Sequence, residues 1–126
     1  MKAYLASPLG FSEAGLVFLR LYKKKLSRIF KVVDPWETIL PKQMSTIIKE
    51  METTSHEKLI SIGRKNEKRI RDCDILIAVL DGTDVDSGTA AEIGFAYGIG
   101  KRVYGYRGDF RKTGDNCNCT LTSSHP

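Results

Sequence analysis

Long apolar runs are missing from this sequence. The longest, Ile75 to Leu80, falls far short of the roughly 20 residues a helix needs to cross a bilayer, so no membrane span is expected. Met1-Lys2 leads into Ala3 to Ala6, and Pro8 and Gly10 then break the run, which does not read as a secretory signal. Cysteine is scarce, with three residues. Cys73 precedes a predicted buried strand and reads as a reduced core thiol. Cys117 and Cys119 form a lone Cys-Asn-Cys in a polar tail. With no second cysteine pair and no clustered histidines, a zinc site is not expected, and the pattern fits a reducing cytoplasm. The two histidines, His56 and His125, belong to no ligand or triad pattern. No internal repeat or low-complexity tract is present. Gly82 and Gly88 do not make a phosphate loop, because the Lys-Ser/Thr ending and the dinucleotide glycine spacing are both absent.

What is present suits one soluble globular domain. The chain has 126 residues, 41% hydrophobic and 28% charged, enough for a single core. The formal net charge is +5. Much of it sits in Lys23-Lys24-Lys25, Arg28, Lys31, Arg64-Lys65 and Lys68-Arg69. Such charge suits either nucleic-acid binding or the solvated faces of two helices. The basic residues are interrupted by apolar ones and form no aromatic-interleaved groove. The solvated faces are therefore the favoured reading, and no nucleic-acid partner is expected.

Hydrophobic periodicity predicts a strand at Lys2–Ala6, then a Ser7–Gly10 loop and a helix from Ser12 or Glu13 to about Ser27. A strand follows at Phe30–Val33, closed by Asp34-Pro35-Trp36. Pro35 to Pro41 is loop-like, and Gln43 to Met51 suits a short helix. His56 to Arg71 is a stronger helix, with Leu59, Ile62 and Ile70 on one side and Gly63 and Asn66 facing the same way. Asp74 to Leu80 is the clearest strand, apolar on both faces as in the centre of a parallel sheet. A polar turn leads to a helix over Ser87–Ile99, ended by Gly100, and Arg102 to Tyr106 is a further strand. This alternation argues for an α/β fold: a doubly wound parallel sheet of roughly four to five strands with helices on both faces. Ligands then bind at the carboxyl ends of the strands, where the loops Ser7–Ser12, Asp34–Glu37 and Asp81–Gly88 meet.

The third loop is rich in acid. Asp81, Asp84, Asp86 and Glu92 fall within one strand–turn–helix. Asp86 or Ser87 can cap the helix, and Gly88 lets backbone approach a ligand. Glu92 sits within roughly the first turn and a half, where the helix dipole favours its ionised form. Thr89, Ala90 and Ala91 are small and leave room beside it. By residue type alone three readings stay open. The acids serve as caps and dipole partners, as oxygen ligands for a hard cation, or as a nucleophile at an electrophilic sugar carbon.

Several segments resemble the nucleoside 2-deoxyribosyltransferase family. They are Tyr4-Leu-Ala-Ser-Pro8, Asn66, Asp72-Cys-Asp-Ile-Leu-Ile-Ala-Val-Leu-Asp81, Asp86-Ser-Gly-Thr-Ala-Ala-Glu-Ile-Gly94, Ala96, Gly100-Lys101 and Tyr106-Arg-Gly-Asp-Phe-Arg111. The resemblance spans 1–112 as one domain and leaves 113–126 as a polar tail, poorly ordered or truncated relative to the family. It implies a flavodoxin-like fold and a cytoplasmic homo-oligomer acting in nucleoside salvage on 2′-deoxynucleosides and free nucleobases, with no metal or organic cofactor. Glu92 would attack C1′ and form a covalent deoxyribosyl-enzyme, which an incoming base or water resolves with retention. Asp86, beside Ser87 and Gly88, would bind the sugar hydroxyls. Ser7, Pro8, Leu9, Gly10 and Phe11 would line the pocket.

Three positions refine this expectation. Related deoxynucleoside 5′-monophosphate N-hydrolases tend to carry a small hydroxyl residue where Asp86 stands. A carboxylate there repels a phosphate, which favours the free nucleoside over that alternative; a non-catalytic nucleoside-binding module is the rival reading from another class. Asn66 occupies a place where many members have an Asp that protonates or orients the leaving base. An amide donates and accepts hydrogen bonds but delivers no proton at neutral pH. It also suits a half-buried residue bonded to a neighbouring loop. Trp36, at a strand end, suits either stacking on the base or packing on the core edge. Tyr4 and Tyr97 read as core or interface residues.

Overall fold

A computed structural model describes residues 1–38 and 56–109. The expected helix at Gln43–Met51 and the tail 113–126 lie outside these residues. Among the described residues four strands form one sheet: β1 (Lys2–Ala6), β2 (Lys31–Val33), β3 (Ile75–Val79) and β4 (Arg102–Tyr106). Among the described residues three α-helices accompany them: α1 (Glu13–Leu26), α2 (His56–Asp72) and α3 (Ser87–Gly98). The spatial order is β2-β1-β3-β4, and every pairing is parallel. The chain therefore winds outward from β1 to β2, returns past β1 and winds the other way through β3 to β4. The reversal falls between β1 and β3, paired from Ala3↔Ile75 to Ala6↔Ala78. A crevice opens at the carboxyl ends of such a pair, because the two following connections leave to opposite faces.

Strand alternation sorts the core into two layers. Ala3, Leu5, Ile75, Ile77 and Val79 face α1 and pack with Leu19. Tyr4, Ala6, Leu76, Ala78 and Leu80 face the other way, with Ile70, Cys73, Ala96 and Val103. β3 is buried along its whole length, as its unbroken apolar run demands. Burial also raises the pKa of the Cys73 thiol, which suits a core residue more than a reactive one.

The helix ends follow local chemistry. Ser12 caps α1 by accepting a hydrogen bond from Gly15 N at 2.9 Å. Lys23, Lys24 and Lys25 occupy its last turn, where cations complement the dipole. Beyond α3, Gly100 N donates to Tyr97 O and Lys101 N to Ala96 O, with Gly100 at φ +83°. This left-handed closure favours glycine.

One expectation fails at the start of α2. Leu59 and Ile62 are 57% and 51% exposed, whereas Ile70 is 2% exposed. A helix of 17 residues is about 26 Å long, and a five-residue strand about 17 Å. Only the C-terminal part of α2 can lie on β1 and α3, so its inward-facing periodicity outruns the sheet. No helix among the described residues is long and apolar enough to cross a membrane.

Candidate active site

Where β1 ends, Ser7 is buried and the chain folds into a short 3₁₀ turn, Leu9–Phe11. A methyl group placed on Gly10 would lie 2.1 Å from Cδ2 of Trp36, so the indole presses directly on the Gly10 backbone. Trp36 Nε1 donates to Ser7 O at 3.0 Å, and the Phe11 ring meets the indole edge-on at 4.7 Å. Trp36 is thus anchored on three sides and bolts the β2 loop to the β1 loop. The core-edge reading of Trp36 holds, because the ring packs against the α1-side core. Phe11 is 55% exposed, and Pro8 is half-buried.

Asp34 follows β2 and is buried. Its Oδ1 accepts from Trp36 N at 2.9 Å, and Lys23 Nζ lies 3.9 Å from Oδ2. Lys23 also pairs with Glu37, which explains one member of the lysine run. Burial raises the Asp34 pKa, outweighing the Trp36 N–H and the Lys23 charge that lower it.

The β3 exit is clamped to the β4 exit. Asp81 Oδ1 accepts from Gly108 N at 2.6 Å and from Asp109 N at 3.2 Å. In return Arg107 Nη1 donates to Leu80 O at 2.9 Å and Gly82 O at 3.1 Å. This clamp sets the turn that leads to α3. Asp86 is the N-cap of α3: its Oδ2 accepts from Thr89 N at 2.9 Å and Thr89 Oγ1 at 3.1 Å. Both bonds fall on one oxygen, which leaves Oδ1 for another donor. Ser87 and Gly88 are exposed beside it. Among the described residues no three acidic, histidine or cysteine side chains converge as a metal ion would need.

Glu92 lies on the side of α3 that carries buried Thr89 and Ala96, so its carboxyl turns toward the sheet and Tyr4 of β1. Its pKa is raised, first by burial and then by Asp86, against a lowering from the Tyr4 hydroxyl. The expected dipole stabilisation is therefore overridden. The dipole acts within the first turn, where Asp86 already takes the Thr89 N–H, and desolvation acts on the carboxylate directly. The Tyr4 phenol is pushed well above its ordinary value by burial and by Glu92.

Among the described residues four buried side-chain atoms lack a hydrogen-bond partner: Tyr4 Oη, Ser7 Oγ, Asp34 Oδ2 and Glu92 Oε2. Asp34 Oδ2 has the Lys23 charge nearby. The other three lie on β1, at its end, or on the helix packed over it. Tyr4 and Glu92 influence each other's titration, yet neither atom completes a bond of good geometry. Buried polar atoms rarely remain unpaired, and a cluster of them beside a crevice marks where a polar ligand completes the set.

Asn66 is half-buried on α2, and its Oδ1 accepts from Arg69 Nη1 at 3.2 Å. The partner lies on the same helix, one turn on, not on a neighbouring loop as one reading of this residue expected. The structure thus brings Glu92, Asp86, Ser7, Gly10 and Trp36 to one end of the sheet and leaves Ser87, Gly88 and Phe11 at its rim. Sequence reasoning placed Tyr4 in the core, where it lies, but missed its approach to Glu92 and the contacts of Asp34 and Arg69. Tyr4 was legible as a phenol inside an otherwise apolar strand, since a buried hydroxyl needs a partner. Arg69 was legible from its spacing of three residues after Asn66.

The family model for nucleoside 2-deoxyribosyltransferase matches residues 3–123. A 2-deoxyribosyltransferase from Bacillus psychrosaccharolyticus is similar in structure, with a TM-score of 0.66, 30% sequence identity, and coverage of 91% of this chain and 75% of that one. A conserved protein from Enterococcus faecalis has a TM-score of 0.64 and 29% identity over 93% of this chain and 69% of that one. A 2-deoxyribosyltransferase from Leishmania mexicana has a TM-score of 0.62 and 25% identity over 87% and 66%. No curated protein matches the sequence.

Proposed function

The chain belongs to the nucleoside 2-deoxyribosyltransferase family, and from that premise we propose that it moves 2-deoxyribose between nucleobases through a covalent intermediate on Glu92. The observation that carries this reading is the Glu92 carboxyl: largely buried, facing Tyr4, with Oε2 lacking a hydrogen-bond partner. A carboxylate held out of water with an uncommitted oxygen is a better nucleophile than one already hydrogen-bonded. Glu92 attacks C1′, the C1′–N bond breaks, and a free base then attacks C1′ from the face the first base left. Two inversions retain the configuration.

Asp86 binds the sugar through Oδ1 while Oδ2 holds the helix cap. Ser7, Gly10, Phe11 and Trp36 line the base side, and Asn66 meets the leaving base. The negative Asp86 beside the helix start favours a 2′-deoxynucleoside over its 5′-monophosphate. The same reading makes the protein a cytoplasmic homo-oligomer of nucleoside salvage. Exposed Tyr97, with Gly94 and Gly98 on the same helix, offers an apolar edge for a second copy.

Incubation with deoxyinosine and adenine tests the activity. Formation of deoxyadenosine is expected, with loss of at least about 10³-fold in Glu92→Ala. Free base without exchange would make the protein a hydrolase. Binding without turnover would make it a nucleoside-binding module.

A further inference from the structure

Breaking an N-glycosidic bond leaves its electron pair on a ring nitrogen of the base. A proton, a hydrogen-bond donor or a cation must meet that charge. In the reading above Glu92 is committed to C1′, and Asp86 Oδ2 is committed to Thr89. Asp34 is tied to Trp36 N through Oδ1 and faces Lys23 through Oδ2. Tyr4 is coupled to Glu92 and holds its proton far above neutral pH. Asn66 and Arg69 on α2 stand apart from these commitments.

Their bond is not symmetrical. Arg69 Nη1 donates to Asn66 Oδ1 at 3.2 Å. A guanidinium has donors and no acceptor, so only the amide oxygen can face it. This removes the usual ambiguity of an asparagine side chain and turns Nδ2, with its two N–H groups, away from Arg69. Asn66 is thereby held as a donor. Both residues are half-buried on a helix that packs against β1 and α3, the two elements that carry Tyr4 and Glu92. The Arg69 charge reaches into the same region, because it lowers the pKa values of both Tyr4 and Asp34.

We propose that Arg69 is a positioning residue for the contact with the leaving base that the reading above gives Asn66: it fixes the amide so that Nδ2 faces the departing base, and it supplies positive potential there. This rests on the deoxyribosyl-transfer reading. The bond from Glu92 oxygen to C1′ forms as the C1′–N bond breaks, and the electron pair stays on the base. No protein proton is transferred, so the base leaves as an anion and takes its proton from water. In the second half-reaction the incoming base loses a proton to water and attacks C1′. The favoured substrates are deoxynucleosides whose base is stable as an anion, with 6-oxopurines ahead of 6-aminopurines.

The test compares kcat and KM for deoxyinosine and deoxyadenosine with one common acceptor base. The proteins are the wild type, Arg69→Met, Arg69→Lys and Asn66→Asp, with thermal melts to confirm folding and Glu92→Ala as reference. Deoxyinosine should turn over faster. Arg69→Met should lower kcat about tenfold or more with little change in KM, and the loss should be larger for deoxyadenosine. Arg69→Lys should recover part of the loss. Asn66→Asp should narrow the gap between the two substrates and add a fall in rate as pH rises through the new carboxyl's pKa. An inert wild type overturns both this proposal and the reading beneath it. An active wild type in which Arg69→Met is unchanged, or loses equally on both substrates, overturns this proposal alone.

Discussion

The two sides of the sheet are built to different ends. The α1 side is packed: Ala3, Leu5, Leu19, Ile75, Ile77 and Val79 fill it, and Phe18, Tyr22 and Tyr106 stack at its margin. The α2/α3 side is equally apolar at its centre. It differs in admitting Tyr4 and Glu92, whose buried oxygens lack hydrogen-bond partners. One side holds the fold together, and the other keeps polar atoms unsatisfied at some cost in stability. Proteins commonly hold such cost where a ligand later relieves it. Substitutions on the two sides should therefore separate stability from activity.

Glu92→Gln is the largest expected effect on activity and has the opposite sign on stability. Base exchange should fall by at least about 10³-fold, because an amide is no nucleophile. Glu92 has a raised folded-state pKa. Its contribution to stability is fully present below the ordinary carboxylate pKa and is lost as pH rises through the folded one. The amide carries no such loss, so the variant should melt a few degrees higher than wild type at neutral pH, and the difference should vanish in acid. A lower melting temperature at neutral pH would contradict the burial argument. The same titration predicts that wild-type turnover falls as pH drops through a pKa above the ordinary glutamate range, measured as a kcat/KM profile.

Leu19→Ala makes the reverse cut. Leu19 is fully buried on the α1 side, and its truncation should cost about 2–5 kcal/mol in denaturant titration. Activity per folded molecule should stay near wild type. A loss of kcat in the folded fraction would show that the two sides are coupled.

Asp86→Ser is a smaller and more selective test. Serine is also a good N-cap, so stability should change by less than about 1 kcal/mol. Loss of the charge should lower kcat/KM for deoxynucleosides about tenfold and improve use of the 5′-monophosphates. Unchanged kinetics for both substrates would remove Asp86 from the sugar site. Smallest of all, Trp36→Phe deletes the bond to Ser7 O and should cost about 1 kcal/mol. Its signature should be a raised KM with kcat retained, since the pocket wall loosens while Glu92 stays in place.

Much of this arrangement was legible in the residues. The all-apolar Ile75–Leu80 run, Gly100 after the last helix and the acid-rich turn before it required only local periodicity and capping. They led to the buried central strand, the parallel sheet and the helix ends that are observed. Other features were out of reach because they depend on what approaches from elsewhere in the chain. The apolar positions of α2 repeat with helical spacing along its whole length, but only the sheet's short extent decides that Leu59 and Ile62 stay exposed. The Asp81–Gly108 and Arg107–Leu80 clamp joins residues 27 apart in sequence.

Glu92 marks the division most clearly. The sequence by itself determined its place on α3, its small neighbours and Asp86 as cap, because these follow from spacing along one helix. It also suggested an ionised carboxylate, from the dipole. Tertiary structure decided the opposite shift, by burying most of the carboxyl, and the Tyr4 hydroxyl of β1 offsets only part of it. Desolvation is a property of what surrounds a group in space, and no pattern along the chain records it. Arg69 and Asn66 show the complementary case. Their contact was readable as a helical spacing, but only packing of that helix against β1 and α3 brings the Arg69 charge within reach of Tyr4 and Asp34.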